Sequence, residues 1–179
     1  MTPHSQAPSA RIIADYLRAK DAQVPLLYQR VFTADARFVT IFHVPSPFGE
    51  TPPQEGLPAI TRTFRMMGAH NENIVTVVPV ESLVQRDGIL TSRWVVAMTR
   101  RDGTGGFSGW GSYRWTLDDT GTRARELEVT FEGMAALSNA EAPAVLSRLL
   151  DLSHPWCMQA DLIEAISDLP QLETLHDWL

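Results

Sequence analysis

Apolar residues recur at helical spacing near the start of the chain. Ile12, Ile13, Tyr16 and Leu17 share one face of a 3.6-residue period. Ser9 precedes them and is a residue type that caps helix N-termini. The pattern therefore predicts a first helix that begins at Ser9 and buries this apolar face.

Two more helices and one strand are predicted in the first half of the chain. A second helix begins near Val24, and a third runs from Pro58 to Gly68, a plausible C-cap. Between them, 36–44 is rich in strand-forming residues. The segment 45–56 contains four prolines and two glycines and is predicted to be a loop.

The pattern then changes to strand-like runs joined by turn residues. The joints QRDG, RRDGTGG and DDTGT have hairpin composition, which predicts an antiparallel meander. Helical spacing returns from Ser138, where Ser138 and Glu141 have capping-box spacing. Helices and an antiparallel sheet in separate parts of the chain predict an α+β fold. The four predicted strands are 73–84, 88–100, 107–118 and 123–132.

Composition narrows the classes of function. The chain has 179 residues, a size that favours one domain, and residues 1–8 are predicted to be a flexible tail. The net charge of −6 and the lack of a basic run argue against nucleic-acid binding. No apolar run is long enough to span a membrane, and no signal peptide is evident. With Cys157 as the single cysteine, we expect a cytoplasmic protein without a disulfide within the chain.

Four segments carry a family resemblance: ADYLRAKD (14–21), VFTADARF (31–38), EGLPAITRTF (55–64) and SYRWTLDDTGTRARELEVTF (112–131). They resemble the nuclear-transport-factor-2-like superfamily, which includes ketosteroid isomerases, scytalone dehydratase and SnoaL-like cyclases. The resemblance implies a cone-shaped, curved antiparallel sheet wrapped around the N-terminal helices over 9–133. Residues 134–179 are then expected to be a helical extension packed on the same domain.

Strand alternation predicts which side chains face the interior. In the last strand Leu127 alternates with Glu126 and Glu128, and burying unpaired carboxylates is costly, so the Leu127 face points inward. The same reasoning turns Tyr113 and Trp115 inward. These aromatic residues either fill a core or, as the resemblance implies, line a pocket for a small hydrophobic molecule. The predicted pocket residues are Phe38, Thr40, Trp94, Val96, Met98, Tyr113, Trp115, Leu127, Val129 and Phe131.

Trp110 alternates to the opposite face of its strand. It lies either at a surface covered by a second copy of the chain or beneath the C-terminal helices. The first alternative motivates the prediction of a homodimer.

Candidate catalytic residues are few. The resemblance puts Tyr16 where ketosteroid isomerases have an oxyanion-stabilising tyrosine, although a packing role is the alternative. It puts Thr40 and Gly111 where those enzymes have acids, which argues against steroid isomerisation. His70 is the leading candidate base because imidazole titrates near neutrality, with Asp35 or Glu81 as its carboxylate partner. His43 is a further candidate, although a surface or loop role is the alternative for both histidines.

No metal or cofactor is predicted. No Cys/His set has zinc spacing, and GTGG (103–106) does not precede a helix as a phosphate loop would. Three functions stay open: a small-molecule-binding protein, a dehydratase, cyclase or isomerase that uses His70 and Tyr16, and a protein-interaction module. A carboxylate partner for His70 inside the cavity would separate the first two.

Overall fold

Three helices cover one face of the sheet. The computed structural model describes residues 8–46, 49 and 51–179, so most of the predicted N-terminal tail lies outside the described residues, and Pro8 already belongs to the first helix. The second predicted helix is a 3₁₀ turn at Pro25–Leu27 followed by one α-helical turn. The helices are α1 (Pro8–Asp21), α2 (Tyr28–Val31) and α3 (Leu57–His70).

The strands are β1 (Phe32–Phe42), β2 (Gln54–Glu55), β3 (Asn71–Pro79), β4 (Val84–Arg86), β5 (Ile89–Arg100), β6 (Gly106–Leu117), β7 (Ala124–Leu137) and β8 (Trp156–Cys157). They form one mostly antiparallel sheet, as predicted, in the order β2-β1-β7-β6-β5-β3-β8, with β4 beside β5. Parallel pairing, which was not predicted, joins β1 to β7 and β8 to β3. Because β3, β5, β6 and β7 are successively antiparallel, β7 runs opposite to β3, and β1 runs in the same direction as β7.

The inner face of the sheet packs against α1, α2 and α3. Trp115 pairs in register with Leu127, and both are fully buried in this layer. On the opposite face of β7, Glu126 accepts a hydrogen bond from Arg37 of β1 at 2.9 Å. The inward direction predicted for the Leu127 face is therefore the observed one.

The outer face is covered by the C-terminal part of the chain. Ser138 and Glu141 form the predicted capping box, in which the Ser138 amide donates to Glu141 Oε2 at 2.8 Å and the Glu141 amide donates to Ser138 Oγ at 3.4 Å. β7 continues to Leu137, past the predicted boundary at 133. No helix in the described part of the chain is long and apolar enough to cross a membrane. The outer helices are α4 (Glu141–Leu150), α5 (Gln159–Ile166) and α6 (Glu173–Trp178).

Trp110 lies beneath these helices, so the exposed position considered for it is wrong. It is 3% exposed and belongs to a second hydrophobic cluster with Val95 and Leu149. Gly133 makes this packing possible, because a Cβ there would lie 2.1 Å from Trp110 Cε2. The sheet thus separates two apolar layers.

Gly68 does not end α3, contrary to the prediction. The helix continues to His70, and Gly68 is buried within it. A Cβ at Gly68 would lie 1.8 Å from Gln23 Oε1, so the glycine provides space for the Gln23 side chain.

Candidate functional site

A cavity of about 430 Å³ lies between α1, α3 and the inner face of the sheet. Its wall is almost entirely apolar and aromatic. Strands β1, β5, β6 and β7 contribute one side, and α1 and α3 contribute the other. The lining residues are Tyr16, Lys20, Phe38, Thr40, Phe42, Thr51, Thr63, Phe64, Met66, Met67, His70, Asn71, Trp94, Val96, Met98, Phe107, Tyr113, Val129 and Phe131.

Most of the residues predicted to form the pocket line this cavity, and two do not. Trp115 and Leu127 are fully buried in the core behind it. The Trp115 ring meets the Tyr16 ring edge to face, with centroids 5.0 Å apart. Alternation identified the correct face for both residues, but Tyr16 and Phe32 pack against the Trp115 ring. The predicted residues that line the cavity are Phe38, Thr40, Trp94, Val96, Met98, Tyr113, Val129 and Phe131.

Aromatic stacking builds the sheet side of the wall. The Trp94 and Tyr113 rings stack with centroids 5.5 Å apart, and Phe131 meets Trp94 edge to face at 4.8 Å. A Cβ at Gly109 would lie 3.3 Å from the Phe131 ring, so glycine in β6 provides space for that ring. The mixture of large and small residues in FSGWGSYRWTL (107–117) therefore builds a packed aromatic wall.

Tyr16 contributes from α1 and stays protonated at neutral pH. Its side chain is 2% exposed, and burial raises its pKa well above the ordinary value, with a further increase from the neighbouring Tyr113. Burial likewise raises the pKa of Tyr113. Both phenols are therefore protonated, and the Tyr16 hydroxyl is hydrogen-bonded to Tyr113.

His70 lies at the C-terminal end of α3, where the cavity reaches the surface. Met66, one turn earlier, also lines the cavity and is 56% exposed. His70 Nδ1 is 3.0 Å from the Met66 carbonyl oxygen. A carbonyl only accepts, so Nδ1 carries the proton and the neutral ring keeps its lone pair on Nε2.

The predicted carboxylate partners of His70 lie elsewhere. Asp35 is exposed on β1, in a strand whose inward positions are Phe38 and Thr40, and it does not line the cavity. Glu81 instead accepts a hydrogen bond from the Gln159 amide at 3.0 Å. No Asp or Glu lines the cavity in the residues that the structure describes. The proposed dyad of His70 with Asp35 or Glu81 is not formed.

His43, the other histidine considered, is not part of the cavity wall. Its Nδ1 lies 2.8 Å from Glu132 Oε2 at the surface. Within the described ranges, no cluster of three or more His, Cys, Asp or Glu residues has an arrangement that would hold a metal ion.

Lys20 is the cavity residue that the sequence interpretation missed most clearly. It is 5% exposed and lines the cavity one helical turn after Tyr16. Its Nζ forms an ion pair with Asp21 and donates to Thr76 Oγ1 at 2.7 Å. The signal in the sequence was its position at i+4 from Tyr16, on the apolar face of α1.

Asp21 completes this buried polar cluster. It accepts from the Thr76 amide at 2.8 Å and from Thr76 Oγ1 at 3.1 Å, and its Oδ2 lies 3.6 Å from His154 Nε2. Burial by itself raises the Asp21 pKa. The Lys20 charge and the hydrogen bonds from His154, Lys20 and Thr76 outweigh that effect, so the pKa is lowered. Asp21 is therefore a carboxylate at neutral pH.

Comparison with known proteins shows the fold. No family model and no curated protein match the chain. A solved NTF2-like protein of unknown function from an Exiguobacterium species is 19% identical, with a TM-score of 0.54 over 68% of this chain and 98% of that one. A Burkholderia pseudomallei NTF2-like protein of unknown function is 12% identical, with a TM-score of 0.56 over 82% and 99%. The LEH-like epoxide hydrolase of M. tuberculosis is 12% identical, with a TM-score of 0.53 over 80% and 92%.

The chain therefore has the cone-shaped α+β fold of nuclear-transport-factor-2-like proteins, and the resemblance stated from the sequence is confirmed at the level of the fold. Proteins with this fold bind and convert unrelated ligands, so function must be argued from the site itself.

Proposed function

We propose that the protein binds one small, ring-containing apolar molecule in the cavity. The observation that supports this proposal is the wall itself, which combines about 430 Å³ of space with aromatic side chains such as Trp94, Tyr113 and Phe131. No carboxylate lines it among the described residues. A site of this kind favours an uncharged ligand with extensive apolar surface.

The apolar contribution of one bound ring follows from the area that it buries. A ring the size of an aromatic side chain buries roughly 150–250 Å². At about 25 cal/mol per Å², that burial contributes roughly 4–6 kcal/mol before the cost of association.

The test uses tetralin, a bicyclic hydrocarbon, with binding measured by isothermal titration calorimetry. We expect one saturable site in the native protein. Thr40→Trp should abolish binding because Thr40 lines the cavity. Val39→Trp is the matched control, since Val39 precedes Thr40 on the same strand and points to the other face, and it should retain the affinity. Equal affinities of the two variants, or no binding by the native protein, would contradict the proposal.

Catalysis is the second candidate, and the positions of His70 and Tyr16 in the cavity wall favour it. His70 Nε2 has the lone pair needed to remove a proton, and the hydrogen-bonded pair of Tyr16 and Tyr113 supplies a protonated phenol for the oxygen that gains charge. A dehydratase, cyclase or isomerase would need these two roles. Because no Asp or Glu among the described residues lines the cavity beside His70, binding without turnover is the first choice.

The assay for this candidate is proton exchange next to the carbonyl of α-tetralone in heavy water, followed by NMR. His70→Ala should eliminate enzyme-dependent exchange and leave tetralin binding intact, while Tyr16→Phe should slow the exchange. Exchange that is no faster with the native protein than in buffer would leave binding as the function.

The interaction-module hypothesis loses its main argument because Trp110 is buried within the chain. The homodimer stays a prediction without that argument. Sedimentation at micromolar concentration tests it, and a monomer would contradict it.

A further inference from the structure

Lys20 brings a charged group into the wall of the largely apolar cavity. Lys20 and Tyr16 are one turn apart on α1, and both line the cavity. Only 6% of the Lys20 side chain is accessible. A lysine this buried is uncommon, and its charge must be compensated by neighbouring groups.

The hydrogen-bonding capacity of Lys20 is incompletely used. An ammonium group has three N–H donors. Two acceptors contact Nζ: Asp21 Oδ1 and Thr76 Oγ1, the latter at 2.7 Å. No third acceptor contacts Nζ among the described residues. An unused donor of a buried group is costly, and a ligand oxygen in the cavity would satisfy it.

The charge balance around Lys20 defines the kind of oxygen. The Asp21 side chain is 7% exposed and forms an ion pair with Lys20, so the pair is neutral overall. The second carboxylate oxygen of Asp21, Oδ2, already accepts a hydrogen bond from the Thr76 amide at 2.8 Å. A carboxylate ligand would bring an unbalanced negative charge into an apolar cavity, whereas a carbonyl oxygen accepts the hydrogen bond without adding charge.

We propose that Lys20 is the specificity-determining residue of the cavity and that its free N–H binds the carbonyl oxygen of a cyclic ketone. This inference rests on the proposed function, since it requires an apolar ring in the cavity. Asp21 and Thr76 act as positioning residues because they hold Nζ in place. The ketone is then selected over a hydrocarbon because a bound hydrocarbon leaves the third N–H of Lys20 without an acceptor.

The experiment compares three ligands by calorimetry: the ketone α-tetralone, the hydrocarbon tetralin and the carboxylate α-naphthoate. We expect α-tetralone to bind at least about 10-fold more tightly than tetralin, the factor that a charge-assisted hydrogen bond provides. It should also bind more tightly than α-naphthoate. Lys20→Met should remove the preference for α-tetralone over tetralin.

A second variant guards against misfolding, because Lys20→Met leaves Asp21 without its counter-ion. In Lys20→Met/Asp21→Asn both charges are absent, and the same loss of ketone preference is expected. The control is Arg18→Met, a charge removal on the same helix.

The outcomes separate the two proposals. Equal binding of α-tetralone and tetralin by the native protein would overturn the role of Lys20 and leave the apolar binding function standing. Tighter binding of α-naphthoate would overturn the assignment to a neutral oxygen. If both Lys20 variants keep the preference for the ketone, a donor other than Lys20 binds the carbonyl oxygen, and the role proposed for Lys20 is wrong. Failure of all three ligands to bind would overturn the proposed function, and this inference with it.

Discussion

Asp21→Ala should be among the most destabilising single substitutions in this protein. The carboxylate is 7% exposed and is the counter-ion of Lys20, which is equally buried. Its removal leaves the Lys20 charge without compensation and the Thr76 amide without its acceptor. Breaking a buried ion pair in this way costs about 3–5 kcal/mol. Because the whole unfolding free energy of a domain is roughly 5–15 kcal/mol, the loss would be a large fraction of it.

Urea unfolding followed by tryptophan fluorescence measures this effect. The matched control is Asp15→Ala on the same helix, because Asp15 lies near the surface and pairs with Arg30 at 3.3 Å. A surface pair of this kind contributes at most about 1 kcal/mol. Removing both charges in Lys20→Met/Asp21→Ala should cost less than the sum of the two single substitutions. If Asp21→Ala costs no more than Asp15→Ala, the cluster is not the buried ion pair described above.

Two further predictions concern pH and the outer layer. Because the pKa of Asp21 is lowered in the folded state, its contribution to stability is complete at neutral pH. That contribution is lost as the pH falls from about 3.9, the ordinary value, through the lower folded value. The urea midpoint of the native protein should therefore fall more steeply below pH ~4 than that of Asp21→Asn, and parallel curves would contradict this reasoning. Trp110→Ala should lower the unfolding free energy by about 3–5 kcal/mol, since a fully packed tryptophan is removed, and should leave the sedimentation coefficient unchanged. A change in association state without loss of stability would instead indicate that Trp110 lies at an interface between two copies of the chain.

Local sequence signals predicted the hairpins of the fold well. The turn segments with Gly and Asp fixed the ends of β5, β6 and β7 to within a few residues at most joints, because their backbone requirements are local. The parallel pairing of β1 with β7 has no such signal, since the partners are about 90 residues apart. The two-residue strands β2 and β8 also left no pattern, because their pairing is imposed by the tertiary structure.

The site was predictable to the extent that alternation defines it. A period of two assigned Trp94, Val96 and Met98 to the cavity side of β5, since one face of the strand must be buried. Alternation shows which face of the sheet a side chain is on, but not whether that part of the face lies at the cavity or in the packed core. For this reason Trp115 was predicted to line the cavity, although it is buried in the core behind it. A single lysine near a helix end normally extends into solvent, so the position of Lys20 on the apolar face of α1 was a weak signal. Its contact with Thr76 on another element establishes that it is buried.

The outer layer explains how the wall keeps its shape around open space. β5 belongs to both layers, with Trp94 in the cavity wall and Val95 directly behind it against Trp110. The helices α4, α5 and α6 bury that outer face. Packing on the outer face therefore holds β5 and its partner β6 in place without a ligand on the cavity face. Side chains held by packing on one face lose little freedom when a ligand arrives on the other, which reduces the entropic cost of binding. The C-terminal helices therefore contribute to the site without contacting it.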